Sequence, residues 1–462
     1  MSQTLRVDAL VDEQSIGRFN IQLLIWSFLA MFADGYDLSA MPFAAPSLVR
    51  EWHLQAAVFG PVFSASLWGI LGGAPLMGWV GDRLGRRIAI SSGCVLYGLS
   101  TLAMVFAHDL EQMFVLRVIT GIGLGGLMPN TIALSSELSP KRWRATLVVL
   151  MFTGITLGSG TPGPVAAWLV PLYGWQVLFV VGGVVPLIVA ACLPFVLPES
   201  IKFLALHPHR RPELLQVARR LRPDLAIADD ARFEMGAAGQ TRANPLDMFR
   251  GGLAVMTPLL WVCFVMVLMS NYFLNSWMPL LFQSSGLSPK AAALTSSLYH
   301  VGGTLGGLLL SVLLDRFGFV AIAALLAIAV PSIVLVGAPG ASISVLAVVS
   351  TLAGFGVLGG QFGNNAAAGL LYPTNIRSTA VGCAFAIGRF GGIAGPLVGG
   401  ELLLRHWPMP DLFKAAAIPM AVGAVAAIVL ARLSYSRYGG LTLDDTPVAT
   451  APATSPAPLG AK

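Results

Sequence analysis

The sequence is poor in charge. Asp, Glu, Lys and Arg make up 11% of its 462 residues, against about 25% in an ordinary soluble domain. Apolar residues make up 56%, and the mean hydropathy is +0.76. This composition excludes the soluble globular classes and indicates an integral membrane protein in a lipid bilayer. The net charge of +6 does not indicate nucleic-acid binding, because the basic residues fall in short loops rather than in one patch.

Cysteine is scarce as well. The four cysteines, Cys94, Cys192, Cys263 and Cys383, lie in apolar segments, and none has a partner at metal-ligand spacing. Neither a disulfide framework nor a zinc site is therefore indicated. The sequence also lacks a Ser/His/Asp grouping or a phosphate loop on one aqueous face. We therefore expect no enzymatic activity, no catalytic residue, no metal and no cofactor.

What the sequence has instead is a series of long apolar runs. Runs of about 20 residues predict membrane-crossing helices, and twelve occur as two sets of six. They lie near 20–46, 56–80, 88–107, 111–136, 145–170, 175–197, 254–282, 291–314, 319–338, 342–371, 378–402 and 411–433. The predicted fold is an all-α membrane protein with two six-helix bundles at 20–198 and 253–434. An N-terminal segment (1–19), a partly helical linker (199–252) and a disordered tail (435–462) complete the predicted domains.

Lys and Arg are unevenly distributed between the two sets of loops. One set, together with the linker, carries most of them, whereas the other set receives only Arg50, Lys290, Arg405 and Lys414. Because short cytoplasmic loops are enriched in Lys and Arg, we expect both termini and the linker to be cytoplasmic. The expected location is the inner (plasma) membrane, with the protein acting as a monomer.

Two loop motifs recur with one offset. The segment "GDRLGRR" is echoed by "LDRFG", which places Asp82 in register with Asp315, and 315 − 82 = 233. The segment "RATL" at Arg144 is echoed by "RSTA" at Arg377, and 377 − 144 is again 233. The halves are therefore predicted to be duplicates, a build in which the substrate site lies mid-membrane between the repeats.

The segment "GWVGDRLGRR", Gly78 to Arg87, resembles the Gly-x-x-x-Asp-Arg-x-Gly-Arg-Arg signature of the major facilitator superfamily. "RVITG" from Arg117 and "PES" from Pro198 are similar to further marks of that family. "DGYD", Asp34 to Asp37, resembles the DG-[FY]-D motif of its aromatic acid:proton symporters. The resemblance implies a twelve-helix major facilitator fold that moves an aromatic carboxylate and a proton by alternating access.

The loop motifs also predict a cytoplasmic gate. Asp82 is expected to face the start of the eleventh span, where the partial positive charge of a helix N-terminus attracts a carboxylate. The repeat places Asp315 against the start of the fifth span. Such latches would favour an outward-open state; the alternative is a basic loop that sets topology, with a helix-capping Asp. The predicted gate residues are Gly78, Asp82, Arg83, Gly85, Arg86, Arg87, Glu137, Arg144, Asp315, Arg316 and Arg377.

Asp34 and Asp37 lie inside the first apolar run, three residues apart, so they share a helix face. An ionised carboxylate in hydrocarbon costs about 2.5–3.5 kcal/mol, and two on one face repel each other. This favours one of them as a proton carrier. Depth, counted at about 1.5 Å per residue, predicts that Asp34 pairs with Arg117 of the fourth span in a proton-sensitive way. The alternative is a static ion pair between spans one and four.

Arg389 is an isolated charge near the middle of the eleventh span. A guanidinium presents a planar fork that matches a carboxylate, so Arg389 is expected to hold an anionic substrate; pairing with a backbone carbonyl or with Glu137 is the alternative. The other predicted substrate contacts are His300, Asn271, Asn275, Asn364 and Phe390. Gln361 and Asn365 cluster with Asn364 in the tenth span, where amides can line a polar pathway. For the histidine and the amides the alternative is a satisfied place in the core or between helices, and for Phe390 it is core packing.

Together these patterns predict a proton-coupled symporter that imports aromatic, hydroxybenzoate-like carboxylates. Other functions stay open. Symport of another organic acid or a sugar is equally compatible with "PES". Drug export is suggested by "GPLVGG" at residues 395–400, although that motif belongs in the fifth span rather than the eleventh. A nutrient sensor would bind its ligand without transporting it.

Overall fold

The computed structural model describes residues 4–234, 245–373 and 376–438, excluding the side chains of residues 145, 245, 315, 437 and 438. The first half and the linker contain α1 Val7–Asp12, α2 Arg18–Glu51, α3 Gly60–Leu84, α4 Arg86–Ala103, α5 Leu110–Gly125, α6 Leu127–Leu138, α7 Lys141–Gly160, α8 Pro162–Trp168, α9 Val170–Tyr173, α10 Gln176–Val196, α11 Ile201–Ala205 and α12 Arg211–Leu221. The second half contains α13 Leu253–Ser284, α14 Pro289–Phe317, α15 Phe319–Val336, α16 Ile343–Leu371, α17 Arg377–Leu404 and α18 Met409–Tyr438. Short 3-10 helices lie at Ala56–Phe59, Met104–Phe106, Pro208–Arg210 and Pro245–Phe249.

The described helices confirm the predicted fold class. Eleven of them, some joined across a short break, are long and apolar enough to cross a membrane. The twelfth span is α2, whose hydropathy is lowered by polar side chains, Asp34 and Asp37 among them. All twelve predicted runs coincide with these helices, and the fold is two six-helix bundles.

Glycines bring the helices close enough to position the charged residues. Gly35 of α2 lies directly against the backbone of Ile155 in α7, and an added Cβ would overlap it. One turn away on each helix, Gly158 lies in the same way against Phe32. This backbone-to-backbone approach is typical of membrane helices, where small residues at an interface permit close packing. It holds the middle of α2, with its two aspartates, against the fifth span.

The linker packs on the first half. Its helices α11 and α12 share one hydrophobic cluster with α1, α6 and α10. The strand β1 Thr4–Arg6 pairs in parallel with β2 Arg232–Glu234, a pairing that the sequence did not predict. We call the end of the bundle that carries α1, α11 and α12 the linker side, and the other end the opposite side. The predicted tail at 435–462 lies outside the described residues from 439 onward, and α18 itself continues to Tyr438.

The halves contact each other from mid-span to the opposite side. α2 lies against α13, α3 against α17, and α7 with α8 against α14. Ser64 Oγ donates to the Ile393 carbonyl at 2.9 Å. Phe63 and Trp277 meet edge to face at 5.1 Å. In the middle of the spans, Thr304 Oγ1 donates to Thr156 Oγ1 at 2.8 Å. The conformation is therefore closed on the opposite side.

Candidate functional site

A cavity of about 200 Å³ lies between the two halves near the middle of the spans. We call it the central cavity. The first half contributes side chains from α2, α3, α5, α6 and α7, and the second half from α13, α16 and α17. Its polar and aromatic lining consists of Asp34, Phe152, Thr156, Asn271, Tyr272, Gln361, Phe362, Asn365, Phe385 and Arg389. A small, mainly apolar cavity with a few polar groups is the usual form of a small-molecule site.

Asp34 and Arg389 are the charged groups of this lining, and they come from different halves. Asp34 is 6% exposed, and the two charges interact across the cavity. Among the described residues neither side chain has an ion-pair or hydrogen-bond partner. Both therefore keep their bonding capacity for a ligand or a proton.

The second aspartate of α2 is fully engaged. Asp37 is 0% exposed; its Oδ2 accepts from Arg117 Nη1 at 2.8 Å and its Oδ1 accepts from Thr101 Oγ1 at 2.8 Å. Arg117 Nη1 also donates to the Asp37 carbonyl at 3.2 Å. The partner of Arg117 is thus Asp37 rather than the predicted Asp34. A depth estimate separates residues by only about 1.5 Å each and does not specify which way each side chain points around the helix.

The predicted amides and histidine divide into two groups. Asn271 lines the cavity, and its Oδ1 accepts from Tyr299 OH at 2.8 Å. Asn275 and His300 lie outside the lining, where His300 Nε2 is 3.0 Å from Asn275 Oδ1. Ser39 Oγ of the first half donates to the same Asn275 oxygen at 3.2 Å. These two residues therefore join α2, α13 and α14. This arrangement corresponds to the alternative interpretation, in which the amide and the histidine bond one helix to another.

Two predicted substrate contacts lie away from the cavity. Phe390 is 52% exposed on the outer surface of α17, since one residue along a helix turns the side chain about 100° away from Arg389. Asn364 is 1% exposed and does not line the cavity. The structure contradicts the predicted place of both residues in the substrate site. In the same stretch of sequence, Gln361 and Asn365 line the cavity instead.

The sequence does contain a signal for this second pair. Leu358, Gln361, Phe362 and Asn365 stand at positions i, i+3, i+4 and i+7, which places them on one face of α16. All four line the cavity. Asn364 stands outside that spacing. Tyr272, next to Asn271 in α13, was also missed, because one more aromatic residue in an apolar span carries no distinct signal.

The predicted gate residues of the first half form a network on the linker side. Asp82, in the last turn of α3, pairs with Arg86 at the start of α4 at 2.7 Å, rather than with the start of α17. Arg86 Nη1 also donates to Asn130 Oδ1 at 3.3 Å, and the Arg83 guanidinium lies 4.8 Å from the Trp79 ring centroid. Around Gly78 the space for a side chain is open. The predicted latch between Asp82 and the eleventh span is not formed in this conformation, because the halves meet on the opposite side.

A buried carboxylate organises the rest of this network. Glu199 Oε1 accepts from the backbone N–H groups of Arg87 at 3.2 Å and Ser200 at 2.9 Å. Gly85, with φ 112°, lies so close that an added Cβ would overlap the Glu199 carboxylate. Burial raises the pKa of Glu199 above its usual value of 4.5. Glu137, also predicted as a gate residue, accepts from Ser200 Oγ.

The remaining gate residues make contacts within their own half. Arg144 lies 3.6 Å from Asp12, and Arg377 Nε donates to the Tyr372 carbonyl at 3.0 Å. The Arg316 guanidinium lies 5.3 Å from the centroid of the neighbouring Phe317 ring. The side chain of Asp315, the counterpart of Asp82, lies outside the described residues.

Comparison with known proteins agrees with this architecture. The family model for the Major Facilitator Superfamily matches residues 27–318 and again residues 260–453. The 4-hydroxybenzoate transporter PcaK of Pseudomonas aeruginosa is 34% identical over 445 residues, which cover 95% of this chain and 98% of that protein. The gallate transporter of Pseudomonas putida is 35% identical over 446 residues, 96% of this chain and 97% of that one. The partially occluded, inward-open xylose transporter XylE of E. coli superimposes with a TM-score of 0.67 at 16% identity, over 92% of this chain and 100% of that one; this likeness shows the fold alone.

Proposed function

The chain belongs to the major facilitator superfamily, and from that premise we propose that it is a proton-coupled symporter that imports aromatic carboxylates by alternating access. Relatives named for 4-hydroxybenzoate and gallate transport support the substrate class. We place the linker side in the cytoplasm and the protein in the inner membrane, acting as a monomer, since the loop charges favour that orientation. The described conformation, closed on the opposite side, then corresponds to an inward-facing carrier.

The observation that carries the proposal is that two opposite charges, Asp34 and Arg389, line one cavity without a hydrogen-bond or ion-pair partner among the described residues. Arg389 offers a planar fork for a carboxylate, and the rings of Phe152, Phe362 and Phe385 line the same space. An aromatic acid satisfies both features at once. A neutral sugar has no charge to pair with the Arg389 guanidinium. The cavity, at about 200 Å³, is also smaller than the ~300–1,000 Å³ of sites for drug-sized ligands, which disfavours a drug exporter.

Coupling to protons follows from competition for Arg389. Ionised Asp34 attracts the guanidinium across the cavity, so it opposes the binding of a second carboxylate there. A proton on Asp34 removes that competition. Proton and substrate then each favour the binding of the other, as reciprocal linkage requires, and the two travel together. Asp37 is not the proposed proton carrier, because its carboxylate oxygens already accept hydrogen bonds from Arg117 and Thr101.

Alternating access adds the movement of the two halves. Opening the opposite side requires breaking contacts such as Ser64 to Ile393 and Thr156 to Thr304. The closing linker side would then bring Asp82 from Arg86 toward the start of α17, where a helix N-terminus favours a carboxylate. In this account the linker-side network, with Arg83, Arg87, Arg144, Arg316 and Arg377, controls the cytoplasmic gate.

The test is uptake of labelled 4-hydroxybenzoate into liposomes that contain the purified protein, driven by an inward acid gradient. We expect accumulation that collapses when the gradient is removed. One proton with one monoanion moves no net charge, so a potential worth about 2.3 kcal/mol per charge per 100 mV should have no effect on uptake. Competition by benzoate but not by an aliphatic acid or xylose is expected. Binding without flux would instead identify a sensor, and competition by xylose a sugar carrier.

A further inference from the structure

One wall of the central cavity contains an unused hydrogen-bond acceptor. Gln361 lines the cavity from α16. Its Nε2 donates to Asn365 Oδ1, one turn along the same helix, at 3.0 Å. This bond fixes the orientation of the Gln361 amide. The Gln361 Oε1 is buried and accepts no hydrogen bond from any side chain or backbone group in the described part of the chain.

A buried amide oxygen without a donor is costly, at about 1–3 kcal/mol, and native proteins usually satisfy such groups with water or a ligand. The neighbouring acceptor in the cavity is already used, since Asn271 Oδ1 receives the Tyr299 hydroxyl. Gln361 Oε1 is therefore a buried acceptor that is held in place beside the cavity and has no donor among the described residues.

We propose that Gln361, positioned by Asn365, accepts a hydrogen bond from a ring hydroxyl of the substrate, so that the carrier selects hydroxylated aromatic carboxylates over unsubstituted or etherified ones. The inference rests on the proposed function, because it assumes that Arg389 holds the carboxylate. Both contacts belong to the second half, on α16 and α17. The two side chains keep their spacing when the halves move, so the second half binds both ends of the substrate ring.

The repeat provides a matched substitution. Met128 stands at the equivalent position of the first half, since 361 − 128 = 233, and it lines the same cavity. Methionine is similar to glutamine in length but has no amide. Gln361→Met therefore gives the second half the side chain that the fold already accommodates at the equivalent place.

The experiment is equilibrium binding of benzoate, 4-hydroxybenzoate and 4-methoxybenzoate to purified wild type and Gln361→Met. The methoxy acid keeps the oxygen but cannot donate a hydrogen bond. Wild type is expected to prefer the hydroxy acid to the other two by about tenfold. In Gln361→Met the preference should fall to about one. Val348→Ala, on the exposed outer surface of the same helix, should keep the wild-type preference.

The outcomes separate this inference from its premise. An unchanged preference in Gln361→Met, with benzoate still bound, overturns the role of Gln361 and leaves aromatic carboxylate transport standing. Failure of wild type to bind any of the three acids overturns both. If Gln361→Met does not fold, Asn365→Ala provides the second test. Without Asn365 the Gln361 amide loses its fixed orientation, so the preference should fall by a smaller factor, and an unchanged preference there also overturns the proposal.

Discussion

The two halves of the central cavity can be compared position by position, because residues 233 apart occupy equivalent places. Phe152 and Phe385 are such a pair, since 385 − 152 = 233, and both line the cavity. Three further pairs at the same offset also line it: Leu38 and Asn271, Met128 and Gln361, and Thr156 and Arg389. The aromatic position is kept in both halves. At the other three, the second half carries the more strongly hydrogen-bonding or charged residue.

The membrane-buried acids show the opposite bias. Asp34 and Asp37 belong to the first half, and their equivalents at an offset of 233 are Val267 and Ser270. Arg117 corresponds in the same way to Ser350. In the proposed cycle the duplicated fold thus carries the proton in one half and recognises the substrate with the other. A symporter needs both groups at the interface, where each half can sense the occupancy of the other.

The largest expected effect comes from making the second half resemble the first at its charged position. Arg389→Thr introduces the residue found at position 156. Loss of two charge-assisted hydrogen bonds should weaken benzoate binding by about 100-fold, measured by titration calorimetry. Arg389→Lys keeps the charge but not the fork, so we expect a loss of about tenfold.

The control for this change is Arg432→Thr, at an exposed position of α18, which should bind benzoate as wild type does. Binding of benzoate to Arg389→Thr at wild-type affinity would mean that the anion is held elsewhere, and that the polar bias of the second half has another purpose.

The next largest effect is expected when the titratable acid of the first half is removed. Asp34→Asn mimics a permanently protonated side chain, so exchange of labelled for unlabelled substrate should continue. Accumulation should be lost. A gradient of one pH unit is worth about 1.4 kcal/mol per proton and drives about tenfold accumulation in wild type, but the ratio should fall to about one in the variant. Acid-driven accumulation by Asp34→Asn would assign the proton to another group.

The third effect concerns stability rather than transport. Asp37→Asn leaves Arg117 buried and unpaired, which costs about 3–5 kcal/mol and should lower Tm by about 10 °C. Replacing both partners, as Asp37→Asn with Arg117→Met, should cost less than the single change. The second half gives the reason for this expectation, because it folds with uncharged serines at the equivalent positions 270 and 350.

An exposed ion pair of the second half provides the control. Asp411 and Lys414 lie 2.8 Å apart on the surface of α18, and Asp411→Asn should shift Tm by about 3 °C or less. If Asp37→Asn is no more destabilising than this control, the buried pair does not hold spans one and four together.

The sequence was sufficient for the fold and for locating buried charges within the spans, but not for the partners of those charges. Apolar length defines a span within a few residues, and the 233 offset relates the halves without any structure. Which side of a helix faces the cavity depends on packing. In a span that is apolar all round, periodicity groups Gln361 with Asn365 on one face but does not say that this face, rather than the one with Asn364, lines the cavity. The Thr4–Arg6 pairing with Arg232–Glu234 joins segments too distant for a local pattern to reveal.

The linker-side loops also differ between the two halves. In the first half, Glu199 binds the loop backbone at Arg87. In the second half the equivalent position is the basic residue Arg432, since 432 − 199 = 233. The carboxylate that organises the first loop therefore has no acidic counterpart at that position, and the second loop also has Ser311 where the first has Gly78.

The smallest expected effect is a pH dependence of this network. Burial raises the pKa of Glu199 above 4.5, so the folded state binds the proton more tightly than the unfolded state. Its contribution to stability is full below about pH 4.5 and is lost as pH rises through the raised pKa. The Tm of wild type relative to Glu199→Gln should therefore fall by a few degrees between pH 5 and 8.

Asp224→Asn provides the opposite case, because hydrogen bonds from Arg222 lower the pKa of Asp224 below 3.8. The Tm difference between Asp224→Asn and wild type should stay constant between pH 5 and 8. An equally constant Tm difference for Glu199→Gln would mean that Glu199 is ionised throughout.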